Sequence, residues 1–139
     1  ILHATNLTRL FHRDSRVRLV FYHGIGNGIA PCLAYLKDEI SIDTFEKHID
    51  YLQKYYYICP LEEAIQVFCE QENKYTKPVC SISFDDGLSS VFTKAFPLLR
   101  ERRLTASVFL STSVIDNKNM LWLHLLNYLI YLFHSLKAS

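Results

Sequence analysis

The sequence predicts an α/β fold with a parallel sheet. Three observations carry that prediction. Short apolar runs rich in β-branched and aromatic residues alternate with segments of helical period. The order reads strand then helix, four times over. The strongest polar punctuations, His23 and Asp85-Asp86, fall at the carboxyl ends of two of the apolar runs. Alternation of this kind implies right-handed crossovers between parallel strands. The 139 residues suffice for one domain with a core. Residues 1–16 read as an irregular, mixed segment, and 17–139 as the domain.

The first strand is Arg18 to Tyr22 (Arg-Leu-Val-Phe-Tyr). His23-Gly24-Ile25-Gly26-Asn27-Gly28 ends it as a loop. No complete phosphate-cradling pattern accompanies those glycines. Residues 29–41 read as irregular. Asp43 then opens a helix, with Glu46 three residues on as in a capping box. Phe45, Ile49, Leu52 and Tyr56 fall on one face of it. A second strand follows near Tyr56–Cys59, and Pro60 suits the first turn of a second helix. Leu61, Ala64, Ile65, Phe68 and Cys69 share that helix's apolar face, and 71–77 is a polar loop. Val79–Phe84 is the third strand. A helical stretch over 89–103 is broken in two by Pro97. Ala106–Leu110 is the fourth strand, 111–119 a polar loop, and 120–134 the last helix.

Half the residues are apolar and 21% are charged, which is not the composition of a disordered chain. The net charge of +1, with no basic block or stripe, gives no footing for a nucleic-acid or acidic-membrane partner. The apolar stretch from Met120 to Phe133 is interrupted by His124 and Asn127. At 14 residues it is shorter than the roughly 20 that span a bilayer. Residues 1–18 carry several charges and do not resemble a signal peptide. Asn6-Leu7-Thr8 fits a glycosylation sequon, a triplet that also arises by chance. The four cysteines show no C-x-x-C pair and no zinc-site spacing with histidine. Cys59, Cys69 and Cys80 lie in apolar segments and read as small buried residues.

Ser81-Ile82-Ser83-Phe84-Asp85-Asp86-Gly87 carries the chemistry. Adjacent carboxylates raise each other's pKa unless a cation or proton separates their roles. In parallel α/β folds, ligands bind beyond the carboxyl ends of the strands. One carboxylate could hold a divalent metal that polarises a carbonyl, and the other could take a proton from water as general base. On the doublet alone a second reading stays open: Asp85 caps the next helix and Asp86 makes a turn bond. His23 likewise reads either as a residue lining the site or as a histidine held in its loop.

These residues resemble the NodB-like polysaccharide deacetylases. Ser83-Phe84-Asp85-Asp86-Gly87 matches the family's first motif. Leu19-Val20-Phe21-Tyr22-His23 is similar to its early Tyr-His strand. Phe45 to Leu52 resembles the helix that precedes its second strand. Ala95-Phe96-Pro97-Leu98-Leu99 and Thr105-Ala106-Ser107-Val108-Phe109-Leu110 resemble its Pro-x-Leu and Ala-Thr-x-Phe stretches. The resemblance spans roughly residues 17–125. It implies a distorted, seven-stranded (β/α) barrel, of which about four β/α units are here. It also implies a metal-dependent hydrolase that removes N-acetyl, sometimes O-acetyl, groups from a polysaccharide. Carried over by position, Asp85 would be the general base, Asp86 a metal ligand and His23 a residue lining the site. The metal would be Zn2+, with Co2+ or Ni2+ as alternatives. The resemblance suggests a cell-envelope or extracellular location.

The sequence departs from that pattern in one large respect, and the family's later arginine, tryptophan and leucine-histidine motifs are also absent. The family's His-Ser/Thr-x-x-His motif, which supplies two more ligands, is missing; His134-Ser135 begins like it, but the fifth position is Ala138. His124 and His134 on one helix are about 15 Å apart along its axis, too far to share an ion. Both read as polar positions on an apolar helix, and His3, His12 and His48 as surface residues. Since a complete barrel takes about 250 residues, the chain reads as the amino-terminal half of a deacetylase. Half a barrel exposes strand edges and apolar interior, which invites self-association. Two rival expectations are a catalytically inactive glycan-binding or structural remnant of the same fold, and a magnesium-dependent phosphoester hydrolase.

Overall fold

The computed structural model describes residues 17–26, 30–36, 38–70 and 74–137. The segment 1–16, with the sequon at Asn6 and with His3 and His12, lies outside the described residues.

The sheet is organised around one strand. β1 (Val17–Tyr22) and β5 (Val79–Phe84) pair in parallel along their full length, from Val17 opposite Val79 to Tyr22 opposite Phe84. β4 (Tyr57–Ile58) pairs with the first two residues of β5, and β6 (Ser107–Val108) with its last two. The amides of Tyr57 and Cys59 donate to the carbonyls of Pro78 and Cys80, and the amide of Phe109 to that of Phe84. Carbonyls of alternate residues point to the same edge of a strand. β4 and β6 therefore share one edge of β5, end to end, while β1 holds the other. Central placement explains why Val79, Cys80, Ser81 and Ile82 are all buried, as parallel strands covered on both faces are.

The expected strands at 18–22 and 79–84 are found, the other two being shorter than expected. The loop after β1 and the segment read as irregular hold a second parallel ribbon. There β2 (Gly24–Ile25) pairs with β3 (Glu39–Ile40). Two-residue strands carry no alternation for a sequence to display. Ser90 Oγ accepts from the Ile25 amide and ties the ribbon to the region after β5.

α1 (Ile42–Tyr55) starts earlier than Asp43 and Glu46 imply. Its cap is Ser41, whose Oγ accepts from the Thr44 amide at 3.1 Å. Asp43 instead sits in the first turn, where a carboxylate favours the positive end of the helix dipole. Phe45, Ile49 and Leu52 are buried, as the spacing requires. α2 (Leu61–Glu70) is rotated from its expected face: Ala64 and Val67 point inward, while Ile65, Phe68 and Cys69 are exposed. The expectation of a buried Cys69 is thus corrected. Cys59 and Cys80 are buried as expected, and burial pushes the Cys80 thiol up to about 12.

After β5 the chain forms a wide turn at Val91–Ala95 and then α3 (Phe96–Glu101). Pro97 has no amide to donate, so it is tolerated at the start of α3 and not inside it. The break expected at Pro97 is this junction. Arg102, after α3, bonds Glu46 at 2.7 Å and also Asp50, both on α1. Residues 112–117 form a short helical turn, and α4 covers Trp122–Lys137. No helix among the described residues is long and apolar enough to cross a membrane.

The main core lies between α1, the Val91–Leu99 region and one face of the sheet. Tyr22, Ile82 and Phe84 meet Phe45, Ile49, Leu52, Val91, Ala95 and Leu99 there. Tyr22 also lies 3.3 Å from His48 Nδ1 through its hydroxyl. His48, expected at the surface, is instead half-buried, and burial lowers its pKa. A smaller core joins Val79 to Cys59, Ala64 and Val67 under α2. The opposite face of β1 stays open: Leu19 and Phe21 are about three-fifths exposed, at 61% and 60%.

Candidate active site

Pairing of β1 with β5 brings the punctuation residues together. Tyr22 and Phe84 are register partners, so His23 and Asp85 leave the sheet side by side at its carboxyl end. The Asp85 amide donates to the Tyr22 carbonyl at 2.9 Å, which continues the ladder one residue past the strand. Alternation places Asp85 on the face of Ser81 and Ser83, and His23 on the face of Phe21. These are the same face across the pair, the one that α1 leaves open. The His23 ring stands edge-on to Phe21, with centroids 5.9 Å apart.

Asp86 leaves that alternation. Its φ of 68° is left-handed, and Gly87 follows with the same value. Two successive left-handed residues swing the chain away from the strand axis. Aspartate tolerates this region better than most residues do, yet the conformation still costs free energy. A non-glycine residue held there at a strand end marks a place where structure over-determines the backbone. The turn directs Asp86 toward α4, where its Oδ2 lies 3.4 Å from His124 Nε2.

Gly87 is required by its backbone, since its φ of 68° is reached at little cost only by glycine. A β-carbon there would also stand 2.5 Å from Leu110 Cδ2, the free end of an exposed side chain that can swing aside. Gly87→Ala is expected to destabilise the protein by about 1–2 kcal/mol, mostly from the backbone. A shift in urea midpoint measures it, and an unchanged midpoint contradicts the assigned turn.

The structure therefore brings together Asp85, Asp86 and His23, and adds His124. Sequence reasoning set His124 aside because it cannot pair with His134 on one helix. That separation holds, but the partner of His124 is an aspartate on another element. A weak signal was available: His124 and Asn127 are the two polar positions, three apart, in an otherwise apolar stretch. Both are buried while most of their apolar neighbours are exposed. His134 lies elsewhere, its ring 5.8 Å from that of Tyr35.

As a donor set, Asp86 and His124 offer a carboxylate and an imidazole, the ligand types that zinc, nickel and cobalt accept. Among the described residues no group of three histidine, cysteine, aspartate or glutamate side chains could hold an ion. The pair fits two corners of a metal site, and the described residues do not complete it.

The family model for polysaccharide deacetylase matches residues 72–127 of this chain. No curated protein sequence matches it. Several solved structures share its fold, among them the following three. The deacetylase PplD of Streptococcus pyogenes, solved with acetate, superposes with a TM-score of 0.63 at 20% identity, over 74% of this chain and 46% of that one. IcaB of Ammonifex degensii gives 0.62 at 21% identity, over 83% of this chain and 48% of that one. A de-N-acetylase of Aggregatibacter actinomycetemcomitans gives 0.57 at 19% identity, over 72% and 39%. The chain spans less than half the length of each of these structures.

Proposed function

We propose hydrolysis of acetyl groups from an N-acetylated polysaccharide, for a chain whose residues 72–127 match the polysaccharide deacetylase model and whose fold is that of solved deacetylases. The reaction cleaves a non-peptide carbon–nitrogen amide bond and is carried out by the protein of which these residues are part. The observation that carries this reading is that His23 and Asp85 leave two paired parallel strands side by side at their carboxyl ends, with Asp86 next in the chain. Closure into a distorted seven-stranded barrel, with the open face of β1 turned inward, belongs to the same proposal.

Each residue has a role in it. Asp85 takes the proton from the attacking water and returns it to the departing amine nitrogen. Asp86 holds a divalent ion, Zn2+ in the first instance and Co2+ or Ni2+ in its place. When bound, that ion polarises the acetyl carbonyl and makes water easier to deprotonate. The left-handed turn at Asp86 and Gly87 supports this split, because it points neighbouring carboxylates in different directions. His23, beside Asp85, lines the site against the sugar or its acetyl group. Incubation of the natural protein with a chelator is expected to abolish acetate release from an acetylated glycan, and added Zn2+ to restore it. Acetate release that survives complete metal removal contradicts the metal role.

A second reading is a glycan-binding or structural remnant of the same fold. The absence of a three-ligand group among the described residues favours it. Zinc titration bears on this second reading: tight binding by this chain contradicts the remnant.

The surface supports self-association as well. Leu19 and Phe21 on β1, Phe109 and Leu110 after β6, and Trp122, Leu129 and Phe133 on α4 are all exposed. Large apolar residues exposed on several elements favour association. The isolated chain is expected to sediment as dimers or larger species at micromolar concentration. A monomer across that range contradicts the expectation.

A further inference from the structure

We propose that Phe109 walls the acyl pocket: its ring receives the methyl group of the acetyl and sets the size of acyl group that the site accepts. This rests on the deacetylase reading above and deepens it, from the reaction to its acyl specificity.

The first observation is placement. Phe84 and Val108 are register partners, and the Phe109 amide donates to the Phe84 carbonyl at 2.8 Å. Phe109 therefore stands beside Asp85 on one edge of β5, as His23 does on the other. Neighbouring strands lie about 4.7–4.9 Å apart. Ser107 pairs with Ser83, and continued alternation puts Phe109 and Asp85 on the face of those two serines. The row across the carboxyl ends reads His23, Asp85, Phe109. A carboxylate stands between an imidazole and a benzyl group.

The second observation is how that row matches an acetamide. A general base lies about 2.6–3.2 Å from the water it deprotonates. Reacting atoms lie about 3–3.5 Å apart. The acetyl carbon is then within roughly 5–7 Å of the Asp85 carboxylate, a reach of about one strand spacing. The methyl on that carbon gains from an apolar neighbour, while the sugar and the carbonyl oxygen need polar ones. His23 offers the polar side of Asp85 and Phe109 the apolar side.

The third observation is that the ring is exposed on an anchored backbone. Phe109 is 52% exposed, so half of its surface is left outside the core. Its amide is bonded to β5, and Leu110 packs against the turn, with Cδ2 2.5 Å from where a β-carbon on Gly87 would stand. A ring held in this way presents a wall of fixed position.

The test uses the natural protein containing residues 1–139 and glucosamine oligomers carrying either N-acetyl or N-propionyl groups. One methylene in an apolar pocket changes kcat/KM by about 10–200-fold. The wild-type protein is expected to prefer acetyl by at least about 10-fold, and Phe109→Ala to shift the propionyl-to-acetyl ratio of kcat/KM upward by about 10-fold or more. The ratio compares two substrates on one sample, so a partly misfolded fraction cancels. Phe109→Leu, a smaller truncation, should shift it in the same direction by less, and it decides the matter where Phe109→Ala does not fold. An unchanged ratio overturns the assignment, including the case in which KM rises equally for both substrates because the ring supports the sugar. Acetate release by the wild type with an unchanged ratio in the variants removes only the role of Phe109. A wild-type protein that releases neither acid overturns the deacetylase reading as well.

Discussion

Asp85→Asn is expected to lower acetate release by the natural protein by about 10²–10⁴-fold, the usual contribution of a positioned general base. Asparagine keeps the size and shape of the side chain and loses its capacity to take a proton. The main-chain bond from the Asp85 amide to the Tyr22 carbonyl does not involve the side chain, so the turn should hold. Thermal unfolding of the variant should therefore match the parent while turnover falls. Loss of turnover together with a large loss of stability would assign Asp85 a capping role instead. Unchanged turnover would remove it from the mechanism. The left-handed turn at Asp86, which takes it off the strand's alternation, separates the two side chains and lets one carboxylate lose its function without disturbing the other.

The largest effect on stability is expected at Phe45. Its side chain is fully buried at the centre of the main core. It meets Tyr22 edge to face with centroids 5.1 Å apart, and Phe84 at 5.8 Å, while Tyr22 and Phe84 are themselves 5.8 Å apart. The three rings join α1 to both long strands of the sheet, immediately below His23 and Asp85. Phe45→Ala removes the ring from a triangle that cannot collapse around the gap, and should cost about 3–5 kcal/mol. Marginal stabilities of about 5–15 kcal/mol make that a large share of the whole. Phe92→Ala serves as the comparison: Phe92 is exposed, and its loss should change stability by no more than about 0.5 kcal/mol. Urea titration of both variants measures the difference. Similar midpoints would show that the core is not where α1 meets β1 and β5.

The sequence made the long elements plain and the short ones obscure. β5 was legible to the residue because Val79–Phe84, apolar but for the small Ser81 and Ser83, is closed by charges. The buried face of α1 followed from the spacing of Phe45, Ile49 and Leu52, but its start did not. Ser41 and Asp43 are both good caps, and only the backbone chooses between them. The face of α2 was misjudged because apolar residues lie on two sides of it, and contact with Val79 and Cys59 settles which side is buried. β2 and β3 are too short to show a period at all.

The candidate site divides the same way. The deacetylase likeness of the Asp85-Asp86-Gly87 region was written in local sequence, and the match at residues 72–127 agrees with it. Adjacency of His23 and Asp85 depended on β1 and β5 being neighbours, which local residues suggest only through the alternation of strands and helices. His124 showed only as one of two polar positions in an apolar stretch. Its contact with Asp86 joins residues 38 positions apart through the packing of α4 against the rest of the chain, and no period within α4 reports that.

Bound zinc and acetate release, measured together on Asp85→Asn and Asp86→Asn versions of the natural protein, distinguish a base from a ligand within the doublet. Asp85→Asn should retain its zinc and lose turnover, whereas Asp86→Asn should lose both. An Asp86→Asn protein that keeps its zinc, or an Asp85→Asn protein that keeps its turnover, would contradict this division of roles.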